Sequence, residues 1–281
     1  MPSKFGRAVP HGVYAPLYTF FNDDESLDLE SYKKHVRFVA SAGVGIVALG
    51  SSGEAVHLTR DERNVLISAT REVLDGDSAL ASIPLIVGTS ASSTRETIEF
   101  AKDAARLGAD FGMVISPDPG AAAGIDINSD LMTEIASAST NIVGTKLTLS
   151  RITTLRDNFA VFGGFVDFLA PSLVVKSAGC ITGLANIAPK TCLKLYRDTE
   201  SAFSSPSISS TTLSAIQELQ FVASRADWVI IKGGINGPKY ALDKLNGYGG
   251  KPRRPLLPMS EADGDKMLAE LEEVLAVERS L

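Results

Sequence analysis

Between residues 12 and 197 short β-branched runs alternate with longer stretches of helical periodicity, and this rhythm constrains the fold more than any single motif. It predicts parallel strands joined by crossover helices, because parallel neighbours cannot be linked by a tight turn. The strand candidates are Val13 to Phe20, Gly45 to Gly50, Pro84 to Gly88, Asp110 to Ser116, Asn141 to Lys146, Ala160 to Gly163 and Ala178 to Thr182. Helical patterns fill the intervals at Leu29 to Ser41, Thr59 to Leu74 and Ser93 to Leu107, the second opening on a Thr59-x-x-Glu62 capping box. Seven such units fit a doubly wound sheet, or an eight-stranded α/β barrel with one strand unaccounted for. No Gly-x-Gly-x-x-Gly follows the first strand, so the TIM-type barrel is favoured.

Beyond the alternating region, Asp198 to Thr212 is rich in Ser and Thr and reads as a linker, after which Leu213 to Ala223, Trp228 to Leu245 and Glu261 to Val277 read as helices. The expected division is a barrel domain at 1–197 and a C-terminal helical region at 198–281. The Gly/Pro-rich stretch Gly247 to Pro258 would break helices and is read as a connection.

Composition excludes several classes. With 44% hydrophobic and 21% charged residues in 281, the chain can bury a large core. Its net charge of −6 offers no basic field for a nucleic-acid backbone. No apolar run reaches the roughly 18 residues of a membrane span, and no signal-peptide core is evident, so a cytoplasmic protein is expected. Lys4 and Arg7, with no acid before Asp23, leave a mitochondrial leader as a second reading. The two cysteines, Cys180 and Cys192, and the scattered His11, His35 and His57 have neither disulfide nor metal spacing, so no metal is expected.

Chemistry first suggests itself at Asn141-Ile142-Val143-Gly144-Thr145-Lys146-Leu147-Thr148. A lysine in a buried apolar strand is poorly solvated as an ammonium, so its pKa falls and it becomes a candidate Schiff-base nucleophile. The same lysine at a strand end could instead snorkel to water. Strand alternation puts Gly144 and Lys146 on one face, and the missing side chain of Gly144 would leave room for a bound ketone. A rival, Lys232, closes the apolar run Trp228 to Ile231 and suits a packing role. The second strand ends in Gly50-Ser51-Ser52-Gly53-Glu54, whose hydroxyls and backbone N–H groups could hold a carboxylate at the C-terminal face of a barrel, or simply make a tight turn.

Taken in order, Pro16-x-x-Thr19-x-Phe21, the Gly50 to Glu54 turn with Leu58 and Glu62, Gly88, Gly108-Ala109-Asp110, Gly144-x-Lys146, and Gly179-Cys180-Ile181-Thr182-Gly183 with Asn186 and Pro189 resemble one family. It is that of dihydrodipicolinate synthase and N-acetylneuraminate lyase, pyruvate-handling class I aldolases, and especially its fungal-type members. The resemblance spans nearly the whole chain, to Arg254-Pro255-Leu256-x-Pro258. It implies an eight-stranded barrel in which Lys146 forms an iminium with pyruvate or a 2-keto-3-deoxy acid such as 4-hydroxy-2-oxoglutarate, without metal or organic cofactor. It implies that Ser51 and Ser52 replace a hydroxyl pair, usually two threonines, that binds the keto-acid carboxylate. Backbone around Gly179 and Ile181 would line the same pocket. The expected partners are a small keto acid and an aldehyde, with the chain in a homo-oligomer.

One segment departs from the family pattern. Val114-Ile115-Ser116-Pro117 runs directly into Asp118-Pro119-Gly120, so helix four and strand five, with the proton-relay tyrosine of a Tyr-Asn-x-Pro motif, are expected to be lacking; no tyrosine occurs between Tyr32 and Tyr196. A barrel short of one unit should be less stable or depend on a partner chain, since strand number, tilt and shear are linked. Tyr14 and Tyr18, on one strand face by alternation, are the substitutes available. Two further readings follow: a catalytically impaired homologue serving as a binding or structural subunit, and a phosphate-binding barrel isomerase, for which no placed base is found.

Overall fold

A computed structural model describes residues 8–115, 127–147 and 158–281. Within them the strands are β1 (Gly12–Pro16), β2 (Gly45–Ala48), β3 (Leu85–Gly88), β4 (Phe111–Met113), β5 (Gly144–Leu147), β6 (Ala160–Gly163) and β7 (Gly179–Ile181). They form one parallel sheet in the order β4-β3-β2-β1-β7-β6-β5. Each candidate strand lies where the sequence put it, shortened at one or both ends except at Ala160–Gly163. The helices are α1 (Leu29–Ser41), α2 (Arg60–Asp75), α3 (Thr94–Arg106), α4 (Ser129–Ala138), α5 (Leu169–Val174), α6 (Pro189–Phe203), α7 (Ser210–Gly233), α8 (Asn236–Asn246) and α9 (Glu261–Ser280). The capping box before α2 forms as expected: Glu62 N donates to Thr59 Oγ1 (3.3 Å) and Thr59 N to Glu62 Oε2 (2.8 Å).

Strand alternation sorts the side chains into two layers. Val13, Ala15, Ile46, Ala48, Leu85 and Val87 pack outward against the helices in the main core. Tyr14, Val47, Ile86, Ala160, Phe162 and Ile181 face inward as a second cluster, joined by Phe111 and Met113. This is the layering of a curled α/β sheet, with an inner filling and an outer ring of helices. Tyr14 and Phe162 meet edge to face across the inside, ring centroids 5.2 Å apart. Gly45 makes that possible, since a Cβ there would sit 2.4 Å from the Tyr14 ring.

The five inner strands of the sheet order are buried along their whole length. The two terminal strands, β4 and β5, are only partly covered, and Val114 and Ile115 just beyond β4 are about 60% exposed. Among the described residues β4 and β5 do not pair with each other. The junction on which the missing unit was inferred, residues 116–126, lies outside the described residues.

The C-terminal region differs from expectation in three places, the first being that α7 runs unbroken across residues 224–227, where two helices were expected to part. Helix α6 continues to Phe203 and α7 begins at Ser210, so the linker shrinks to residues 204–209. The expected helix from Trp228 to Leu245 is interrupted: α7 ends at Gly233, and Gly234 takes φ of 59° before α8 starts. A positive φ that glycine adopts freely stopped the helix there.

Candidate active site

In a parallel sheet every strand's C-terminal end reaches the same rim, and the candidate residues are distributed along it. After β2 the backbone turns sharply, with Leu49 at φ 59° and Glu54 at φ 54°, both in the left-handed region. Gly88, ending β3, fits beneath this turn, because a Cβ on it would lie 2.1 Å from the Leu49 carbonyl oxygen. Ser51 is exposed and Ser52 half-buried at the crest. Thr19 Oγ1 donates to the Gly53 carbonyl (2.7 Å), and Arg63 donates to the carbonyls of Ala55 (3.1 Å) and Gly88 (2.7 Å).

Behind the turn is a buried charged cluster. Lys239 Nζ, on α8, donates to Glu54 Oε1 at 2.9 Å, and both side chains are fully buried. Glu54 Oε2 accepts from the Arg253 backbone N–H (2.8 Å), with His57 Nδ1 3.5 Å away. The Lys239 ammonium also lies 4.8 Å from the Phe21 ring centroid. Burial pulls the Lys239 pKa down, and the Glu54 carboxylate opposes that pull.

Lys146 pairs in register with Phe162, an inward-facing residue, so its side chain belongs to the inner face near the C-terminal end of β5. A Cβ on Gly164 would stand 3.5 Å from Lys146 Cε, placing the β6–α5 loop against the lysine stem. The terminal strand leaves Lys146 solvent-accessible by area, yet enough protein surrounds it that desolvation lowers its pKa; Cys180 and Asp227 act in the opposite direction.

The role foreseen for Gly144 is corrected. Its missing side chain does not open space for a ligand, because a Cβ there would lie 2.6 Å from the Ala160 carbonyl oxygen of β6. Close backbone approach, which pleats β5 against β6, is what requires glycine.

Ile181, at the end of β7, is buried in the inner cluster two strands from Lys146. Ser51 and Ser52 follow β2, on the far side of β1 from β7. Thr182, next to Ile181, donates its Oγ1 to Asp227 Oδ1 of α7 (2.9 Å), and Val166 N donates to Asp227 Oδ2 (3.3 Å). Asp227 thus ties the ends of β6 and β7 to the C-terminal region. Burial raises its pKa to about 6, with its hydrogen bonds opposing. Sequence reading missed Asp227, Lys239 and the role of Glu54, since their partners are 45 to 185 residues away.

Tyr14 and Tyr18 do not share a face as alternation suggested, because β1 ends at Pro16. Tyr14 is on the inner face, but its hydroxyl donates to the Pro10 carbonyl (2.7 Å), towards the N-terminal end and away from the rim. Tyr18 belongs to the outer core. Lys232 lies on the surface of α7, 3.2 Å from Glu270, in an ion pair. Among the described residues no group of three His, Cys, Asp or Glu side chains could hold a metal.

A family model described as the dihydrodipicolinate synthetase family matches residues 9–118. The chain is 38% identical, over 98% of each chain, to the Emericella nidulans protein named "Probable 4-hydroxy-2-oxoglutarate aldolase, mitochondrial". It is 36% identical to the L-threo-3-deoxy-hexylosonate aldolase of Hypocrea jecorina, over 98% of this chain and 99% of that one. A solved dihydrodipicolinate synthase family structure from Coccidioides immitis superposes with a TM-score of 0.84 at 32% identity, covering 98% of this chain and 99% of that one. The Emericella alignment runs over 317 positions against the 281 residues of this chain, so the relative holds segments that face gaps here.

Proposed function

Since the chain belongs to the dihydrodipicolinate synthetase family, we propose that it is a carbon–carbon lyase of the Schiff-base, class I type, acting on a 2-keto-3-deoxy acid such as 4-hydroxy-2-oxoglutarate. The observation that carries this reading is Lys146, inward-facing near the end of β5, with its ammonium disfavoured by burial. The neutral amine adds to the C2 carbonyl, and loss of water gives an iminium. The C4 hydroxyl then gives up its proton while the C3–C4 bond breaks, its electron pair passing into the iminium to form an enamine. An aldehyde departs, the enamine is protonated at C3, and water releases pyruvate and regenerates the lysine. Ser51 and Ser52 donate to the substrate carboxylate, and the backbone at Ile181 lines the pocket.

We read the chain as lacking the family's fourth helix and fifth strand, a reading supported by the gapped alignment and by partial coverage of β4 and β5. The relay tyrosine would be lost with that segment, slowing proton transfer by about 10² to 10⁴-fold. The aldolase names of the relatives favour an enzyme over a binding subunit. Association into a homo-oligomer is supported by Phe221 and Trp228, one heptad apart on α7 and each 60% exposed. The relative's name supports a mitochondrial setting over a cytoplasmic one. No helix among the described residues is long and apolar enough to cross a membrane.

The test is intact-protein mass after incubation with pyruvate and borohydride, followed by peptide mapping. A reduced pyruvyl adduct on Lys146, absent from Lys146→Ala, is expected. Folded protein without an adduct would overturn the assignment.

A further inference from the structure

We propose that the C-terminal helical region is a working part of the substrate site, with the buried Glu54–Lys239 pair and the Arg253 amide setting the pose of the Ser51–Ser52 turn. The inference rests on the reading that this turn receives the keto-acid carboxylate. Glu54 follows the two serines by two residues and holds a left-handed backbone, a conformation that a non-glycine residue keeps only where its surroundings fix it. Much of what fixes it comes from elsewhere in the chain. One carboxylate oxygen takes the Lys239 ammonium at 2.9 Å, and the other takes the Arg253 N–H at 2.8 Å. These partners are 185 and 199 residues distant, one on α8 and one in the connection before α9.

The N-terminal part supplies backbone anchors to the same turn, from Thr19 to the Gly53 carbonyl and from Arg63 to the Ala55 carbonyl, and brings His57 Nδ1 to 3.5 Å from Glu54 Oε2. Neither backbone anchor holds the Glu54 carboxylate, whose hydrogen bonds of 2.9 and 2.8 Å come from Lys239 and the Arg253 amide. A fully buried ion pair is expensive to desolvate and seldom adds net stability, so its presence directly behind two candidate ligands points to orientation. Glu54 and Lys239 are positioning residues in this reading, since neither is assigned a contact with substrate.

The test compares the full chain with Glu54→Gln/Lys239→Met and with Ser51→Ala/Ser52→Ala. Pyruvate affinity is measured by calorimetry, and Lys146 trapping by borohydride at saturating pyruvate. The first double variant removes both buried charges together, so its fold should survive, which circular dichroism checks. We expect its pyruvate affinity to fall about tenfold or more, with trapping at saturation changed only a few-fold, as displacement of a binding group predicts. Unchanged affinity in that folded variant would overturn the inference, even where the serine variant binds weakly and so supports the carboxylate reading. Weak binding by the charge variant with normal binding by the serine variant would keep the inference and move carboxylate recognition to the turn's N–H groups. Failure of the unmodified chain to bind pyruvate would overturn both.

Discussion

Replacing Arg253 with methionine should destabilise the protein by an amount that depends on pH. The Arg253 guanidinium donates to both oxygens of Glu62 (2.6 and 2.9 Å), to the His57 carbonyl (2.8 Å) and to the Glu25 carbonyl, and lies 4.4 Å over the Phe21 ring. The arginine, first among the influences, holds the Glu62 carboxyl down to about 2 from an ordinary 4.5. A depressed carboxylate contributes stability that is complete above its unfolded pKa and is lost as pH falls through the folded value. At 1.36 kcal/mol per unit the ceiling is about 3 kcal/mol, and water access to Glu62, together with the share of the shift held by its hydrogen bond from Thr59 N, reduces the arginine's part to about 2 kcal/mol. The two carbonyl contacts add about 1 kcal/mol that does not titrate. Arg253→Met should therefore cost about 3 kcal/mol near pH 7, with more than half of the ionic part gone by about pH 3. Urea unfolding across that range would measure it, with Glu62→Gln as the companion variant. A destabilisation that stays constant with pH would refute the ion-pair account and leave packing on Phe21 as its source.

Three further outcomes are expected. In Asp227→Asn the penalty for charging a buried carboxyl disappears. The parent should lose stability as pH rises from about 4 through about 6, where the folded pKa lies, and the variant should not; urea midpoints at the two ends of that window would decide it, and pyruvate trapping on Lys146 should move to lower pH once the opposing negative charge is removed. His35, fully buried between Asn186 and Tyr248, has its pKa lowered to about 4 by desolvation, so stability should decline as pH falls from about 6.5 towards 4, and His35→Gln should flatten that slope in calorimetric scans. Gly144→Ala would force a Cβ to within 2.6 Å of the Ala160 carbonyl oxygen, costing about 2 kcal/mol or more and lowering trapping on Lys146; wild-type stability in that variant would contradict the close approach of β5 and β6.

The strands and first helices were legible because local signals are strong there: apolar runs for β2, β3 and β6, and a capping box that places α2 to within a residue. Lys146 and the Ser51–Ser52 turn stand out in the sequence as candidates because a lysine in an apolar strand and a hydroxyl pair beside glycines are unusual locally. What escaped notice is non-local. Nothing around Lys239 in Gly237-Pro238-Lys239-Tyr240 signals that its partner is Glu54, and Asp227 sits in a helix whose neighbours suggest only packing. Gly144 was misjudged because an absent side chain can be filled by a ligand or by backbone, and only the position of Ala160 distinguishes them. The Gly233-Gly234 pair did carry the signal for the break between α7 and α8, and the apolar residues on either side obscured it.

The sheet order has a mechanical consequence. Lys146 rides on a terminal strand, and the Ser51–Ser52 turn follows a strand four ladders away, through β6, β7 and β1 to β2. If Lys146 is the nucleophile and the Ser51–Ser52 turn the carboxylate anchor, as proposed, the gauge between them is the summed curvature of those four ladders, each with its own small elastic freedom. A change of a few degrees at any one of them is transmitted to the distance a substrate must span. Two cross-ties act on that arc from outside, Asp227 on the β6 and β7 ends and Lys239 behind the turn after β2. Under the proposed function, the C-terminal helices would serve as a caliper, with the length of keto acid accepted depending on how firmly they hold the arc open.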